Sequence, residues 1–195
     1  MNNCECRQNI TVVSDRKILT IALGLNITMF VIGIITGILA QSTGLIADAL
    51  DMLADALAYF LGLLAVGRGI RFKSTTAALS GSLLLILGIS VLIDVGRRAW
   101  SGSEPVSGII IAVACISLIV NVTVLYLLRR FRNGEIHLRA TWIFTRADVI
   151  ANLGVILSGI IIAFTKSRYP DLIVGCAISL YVIKEAFGIL NDIRR

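Results

Sequence analysis

Long apolar runs separated by short polar segments dominate the chain, and they predict six membrane-spanning helices. The first run, residues 18–47, holds no charged residue over 30 positions, and the polar residues 41–44 divide it near Ala40. A membrane-spanning helix needs about 20 apolar residues, and backbone groups in lipid must satisfy one another within such a helix. The predicted spans are residues 18–40, 45–66, 75–93, 106–128, 141–164 and 172–190.

Basic residues are unevenly divided between the two predicted sides of the membrane. Six spans place both termini on one side, which carries twelve Lys and Arg residues in its loops and tails against four on the other. Cytoplasmic loops are enriched in Lys and Arg. We therefore expect an all-α membrane protein of six transmembrane helices with both termini in the cytoplasm, in a bacterial inner membrane.

The composition excludes several classes of protein. Hydrophobic residues make up 57% of the chain and charged residues 15%, against roughly 25% charged in a soluble domain. The net charge of +6 lies in short segments between apolar runs, so we expect a lipid bilayer and no nucleic acid as partner. An enzyme is not expected, because the chain has a single histidine, His137, and no nucleophile–base pair.

Three aspartates interrupt the apolar pattern of the second span. An acid at the centre of a membrane helix costs roughly 2.5–3.5 kcal/mol on insertion scales, and such residues commonly mark ion paths. Asp48, Asp51 and Asp55 are three and four residues apart, which places them within an arc of about 60° on one helix face. Asp51 and Asp55 would repel as two anions, so protons, a cation or both must neutralise them.

A fourth buried acid, Asp148, lies in the fifth span, with Asn152 one turn further on the same face. Carboxylate oxygens on two helices form a hard-donor site that suits a divalent cation. The candidate metal ligands are therefore Asp51, Asp55 and Asp148, with Asn152 as a possible addition. A structural role, in which acids join helices by hydrogen bonds, would not require three carboxylates.

Three other polar residues in the spans have two interpretations each. For Asn26 and Asn121, hydrogen bonding between helices is the simpler one. For Asp48, near the outer end of its span, packing and metal binding are equally supported.

Two segments resemble the cation diffusion facilitator family. Residues 44–55, Gly-Leu-Ile-Ala-Asp-Ala-Leu-Asp-Met-Leu-Ala-Asp, are similar to its motif of a small residue followed by Asp-Ala-x-[His/Asp]-x-x-x-Asp. Residues 148–156, Asp-Val-Ile-Ala-Asn-Leu-Gly-Val-Ile, resemble its Asp-x-x-x-x-x-Gly-Val-Ile stretch. The family exports divalent transition metals in exchange for protons, and the resemblance implies the same activity for this chain.

The resemblance also implies roles for individual residues. Asp51 and Asp55 fall on the two ligand positions of the second span, and Asp148 falls on a ligand position of the fifth. Asp48 matches the aspartate that precedes the ligands in the family, and Asn26 matches an asparagine of the first span. These two residues and Asn152 are the further candidate ligands.

Two departures from the family pattern limit what the resemblance implies. The other fifth-span ligand position is occupied by Phe144, which cannot bind a metal, so a fourth ligand must be Asn152, Asn26, a water or none. The expected organisation is a cytoplasmic tail at residues 1–17 and a cation efflux domain at 18–193, with no soluble C-terminal domain. That domain often joins dimers in the family, so a homodimer here would form through transmembrane helices.

The identity of the cargo stays open. Oxygen ligands favour harder ions such as Mn²⁺ or Fe²⁺, whereas imidazole, absent from every span, would have favoured Zn²⁺. Members of the family with acidic second-span motifs resemble both zinc carriers and iron or manganese carriers. Zn²⁺, Mn²⁺, Fe²⁺, Co²⁺, Ni²⁺ and Cd²⁺ therefore all remain candidates. No prosthetic group is expected. Cys4 and Cys6 form a Cys-Glu-Cys tail that could collect a soft metal, although two thiolates are an incomplete site.

Two other functions use the same features differently. An exporter of another cation in exchange for protons would have similar acids but would need an aromatic-lined cavity. A membrane accessory protein that senses or buffers metal through Cys4 and Cys6 would not need acids on two spans.

Lys184 and Glu185 lie deep in the sixth span. Snorkelling of these side chains to the membrane interface is the simpler explanation, and a role in a proton path is the alternative.

Overall fold

Six helices make up the computed structural model of the chain. It describes the backbone of residues 3–64, 70–129 and 136–192, and the side chains of residues 16–64, 75, 78–129 and 145–191. The helices are α1 (Asn3–Leu39), α2 (Thr43–Leu64), α3 (Ile70–Ser101), α4 (Ser107–Leu128), α5 (Ile136–Thr165) and α6 (Tyr169–Asp192). All except α2 contain a segment long and apolar enough to cross a membrane. The expectation of an all-α membrane protein with six helices is confirmed.

Several helices extend beyond the predicted spans. The helix α1 begins at Asn3, within the predicted tail, and α3 continues to Ser101, eight residues past the span that ended at position 93. Apolar runs mark only the part of a helix that lies in lipid, whereas its hydrogen bonds continue into polar surroundings. At the end of α3, Asp94 forms ion pairs with Arg97 and Arg98, at the i+3 and i+4 spacings that stabilise a helix.

The three connections of the α1–α2, α3–α4 and α5–α6 helix pairs meet at one end of the bundle, here called the turn end. Its residues are 40–42, 102–106 and 166–168. The Val106 amide donates a hydrogen bond to the Ala40 carbonyl oxygen at 3.0 Å, and Arg168 donates to the carbonyl of Ala99 at 3.1 Å. The start of α1 and the end of α6 therefore both lie at the opposite end, here called the terminal end.

The helix α2 occupies the centre of the bundle. It contacts each of the other five helices, and the closest helix pairs are α1–α2, α3–α6 and α4–α5. From Thr43 to Ala56 every residue of α2 except Ile46 is buried, while large apolar side chains such as Ile38, Leu79 and Phe164 are exposed on the outer helices. The helix with three aspartates is thus shielded from lipid, where charged groups are most costly.

Close packing of α1 on α2 depends on two glycines. A Cβ atom added to Gly33 would lie 2.8 Å from the Ala49 Cβ, and one added to Gly37 would lie 2.8 Å from Ile46 Cγ1. Small residues at i and i+4 allow two membrane helices to approach closely. This surface is therefore used within the chain, and a homodimer through transmembrane helices would need another one.

Candidate metal site

The three predicted ligand carboxyl groups meet at the centre of the bundle. Asp51 and Asp55 of α2 are 4% and 7% exposed, and Asp148 of α5 is 5% exposed. The carboxyl group of Asp148 lies beside those of both Asp51 and Asp55. Three carboxyl groups this close together would repel one another as anions, so protons or a cation are needed to neutralise them. We call these residues the carboxyl cluster.

Two hydroxyl groups connect the carboxyl cluster to the surrounding helices. The Tyr59 hydroxyl donates a hydrogen bond of 2.9 Å to Asp55 Oδ2 and lies 3.0 Å from Thr145 Oγ1. Both residues are fully buried, and together they join α2 to α5. Neither residue was predicted as part of the site. Tyr59 follows Asp55 by four residues and Thr145 precedes Asp148 by three, and both spacings place the two side chains on one helix face.

Asp48 lies beside the carboxyl cluster but has a different partner. Its side chain hydrogen-bonds to Ser117 of α4, and both residues are buried. It is close enough to Asp51 for the two charges to interact. Asp48 therefore joins α2 to α4 while adding negative charge next to the cluster.

The two asparagines proposed as further ligands are buried, and each retains a free oxygen. Asn152 donates from Nδ2 to the Asp148 carbonyl oxygen at 2.7 Å, and Asn26 donates to the Ala22 carbonyl oxygen at 2.9 Å. Among the described residues, neither Oδ1 atom has a hydrogen-bond partner. Buried polar atoms are normally paired, so these two oxygens are available as acceptors or ligands.

Three other predicted positions lie outside the described side chains: Phe144, Cys4 and Cys6. Within the described part of the chain, no three His, Cys, Asp or Glu side chains are arranged to hold a metal ion. A divalent cation would have to draw the carboxylate oxygens closer around itself.

A carboxylate from α6 fixes the start of α2, and the sequence analysis missed it. Asp171 accepts hydrogen bonds from the Thr43 amide at 2.6 Å, the Thr43 hydroxyl at 2.9 Å and the Gly44 amide at 3.2 Å, and also from the Ser42 hydroxyl. The Leu45 amide donates to Ser42 Oγ at 3.1 Å. A helix leaves its first amides without partners inside the helix, and here the first three amides of α2 all have one. The contacts with Asp171 also fix the position of α2, and therefore of its aspartates, along α6.

Comparison with known proteins places these features in a family. The model of the cation efflux transmembrane domain matches residues 19–194. The cation efflux system protein CzcD of Alcaligenes sp. (strain CT14) is 26% identical over 190 residues, which cover 91% of this chain and 60% of that protein. The zinc transporter ZitB of Pectobacterium atrosepticum is 29% identical over 191 residues, with the same two coverages.

A third relative, the metal cation efflux system protein CzcD of Cupriavidus metallidurans, is 26% identical over 190 residues. The match covers 91% of this chain and 60% of that protein. This chain therefore spans about 60% of the length of each of the three relatives. The expected resemblance to the family is confirmed. With membrane-spanning helices and bacterial relatives, the chain is a multi-pass protein of the bacterial inner membrane.

Proposed function

The chain belongs to the cation efflux family, and we propose that it exports a divalent transition-metal cation, which binds at Asp51, Asp55 and Asp148 during transport. One observation carries the proposal: two acids of α2 and one of α5 lie in contact inside a bundle whose outer surface is apolar. Intramembrane acids are costly unless neutralised, and they typically mark ion pathways.

Exchange for protons follows from the chemistry of the carboxyl cluster. Without a cation, the neighbouring carboxyl groups of Asp51, Asp55 and Asp148 need protons to limit the repulsion between their charges. Carboxylate ligands must be deprotonated to bind a metal, so binding releases protons. If the site opens alternately to the two sides of the membrane, competition between cation and protons for the same oxygens produces antiport.

The available ligands are oxygens. They include the three carboxylates, the hydroxyls of Tyr59 and Thr145 and the free Oδ1 of Asn152. Oxygen ligands suit Mn²⁺ and Fe²⁺, and Zn²⁺ also accepts carboxylate oxygen. One relative is named a zinc transporter, so Zn²⁺ is the first cargo to test, followed by Mn²⁺, Fe²⁺, Co²⁺, Ni²⁺ and Cd²⁺.

Transport in proteoliposomes tests the proposal. The purified chain should move at least one of the six cations when a proton gradient is imposed. Asp51→Ala, Asp55→Ala and Asp148→Ala should each abolish transport, whereas Glu104→Ala, which removes an exposed carboxylate at the turn end, should leave it unchanged. Wild-type rates in all three cluster variants would refute the site, and no transport of any cation would refute the function.

A further inference from the structure

Asp55 also lines a cavity between α2 and α6. The cavity has a volume of about 340 Å³. Its lining residues are Ala54, Asp55 and Ala58 of α2 and Tyr181, Lys184, Glu185, Gly188 and Ile189 of α6. Six waters around a divalent cation, at about 30 Å³ of liquid volume each, need roughly 180 Å³. A hydrated divalent cation therefore fits inside.

The two carboxylates of this cavity lie at similar depths in the bundle. Both α2 and α6 begin at the turn end, where Thr43 contacts Asp171. Asp55 is 12 residues beyond Thr43 and Glu185 is 14 beyond Asp171, which correspond to about 18 and 21 Å along the two helices. The cavity continues past them to Gly188, towards the terminal end. Cations entering from that end would meet Glu185 and Asp55 before Asp51.

The Glu185 carboxylate has an unused ligand atom. Its Oε1 is buried and has no hydrogen-bond partner among the described residues. The Tyr181 side chain hydrogen-bonds to the same carboxyl group, and Lys184 lies close enough to interact with its charge. Buried polar atoms are normally paired, so the unpaired oxygen of a carboxylate that borders the cavity is suited to bind a hydrated cation.

We propose that Glu185 is an entry ligand, which holds the incoming divalent cation in this cavity and passes it to Asp55. The inference rests on the proposed function, because an entry position requires a central site to receive the cation. Divalent cations that keep part of their hydration shell are bound by one or two carboxylates together with waters. Glu185 of α6 and Asp55 of α2 provide such a pair, and Lys184 partly offsets the charge of Glu185 when no cation is present.

The concentration dependence of Zn²⁺ transport tests the entry ligand directly. In proteoliposomes, Glu185→Gln should raise the half-saturating Zn²⁺ concentration by about tenfold, the loss expected for one interaction with a charged group. Glu185→Asp, which keeps the charge, should restore most of the affinity. The matched control Glu104→Gln removes an exposed carboxylate outside the cavity and should change nothing. A wild-type half-saturating concentration in Glu185→Gln would overturn the proposal.

A second variant blocks the cavity without removing any charge. A Cβ atom at Gly188 would meet no heavy atom within 4 Å, so Gly188→Leu can fold and place its side chain in the cavity. It should slow Zn²⁺ transport, whereas Gly24→Leu, at an equally open position of α1, should not. Transport at the wild-type rate in Gly188→Leu would also overturn the entry position.

The two proposals fail in different ways. If the wild-type chain transports Zn²⁺ and Asp148→Ala abolishes it, but Glu185→Gln and Gly188→Leu both behave as wild type, only the entry position is wrong. If the wild-type chain transports none of the tested cations, the proposed function itself is wrong.

Discussion

Removal of the Asp171 side chain should destabilise the bundle by separating the start of α2 from α6. Asp171 is 1% exposed, and its carboxylate accepts from the amides of Thr43 and Gly44. In Asp171→Ala these amides lose their partners. The Leu45 amide keeps Ser42 Oγ as its acceptor, so the damage is confined to the first two amides of the helix and to two hydroxyl groups.

The magnitude follows from those two amides. A buried donor left without a partner costs about 1–3 kcal/mol, so the free energy of unfolding should fall by roughly 2–6 kcal/mol. For a chain of this size each kcal/mol shifts the melting temperature by about 2–4 °C. Even the lower bound therefore predicts a fall of about 4 °C. Asp171→Asn retains one acceptor oxygen and should lose less.

Thermal unfolding of the detergent-solubilised chain measures this effect. Glu104→Ala, an exposed substitution at the same end of the bundle, is the matched control and should stay within about 0.5 kcal/mol of wild type. A melting temperature for Asp171→Ala equal to that of the control would show that the carboxylate does not stabilise α2. The melting temperature should be lowest for Asp171→Ala, intermediate for Asp171→Asn and highest for the wild-type chain.

Three further predictions concern the site and its surroundings. Tyr59→Phe removes the hydroxyl that bridges Asp55 and Thr145. It should lower the free energy of unfolding by about 1 kcal/mol and alter the half-saturating Zn²⁺ concentration. No change in either quantity would contradict the bridge. Gly37→Leu should prevent α1 from packing on α2 and so reduce the yield of folded protein. Gly24→Leu, at a position with open space, should not reduce the yield. Equal yields of the two variants would contradict the packing role of Gly37. Because binding releases protons, Zn²⁺ affinity measured by calorimetry should fall as the pH is lowered from about 8 to 5, and a constant affinity would exclude proton coupling.

Periodicity predicted the elements better than their ends. All six spans overlap helices of the structure, because a run of apolar residues is a local property of the chain. The start of α1 at Asn3 and the end of α3 at Ser101 lie in polar segments. There the helix is held by its own hydrogen bonds and by pairs such as Asp94–Arg97, which hydropathy does not detect.

The membrane class, the six helices and the shared face of Asp48, Asp51 and Asp55 were determined by the sequence alone, since hydropathy and helical spacing act along one chain segment. Which groups those aspartates meet was decided by the tertiary structure. Contacts between helices depend on their rotation and depth, and no single segment encodes these. The carboxyl groups of α2 meet Asp148 and Thr145 of α5, and Asp171 and Glu185 of α6 contact the start of α2 and line the cavity beside Asp55.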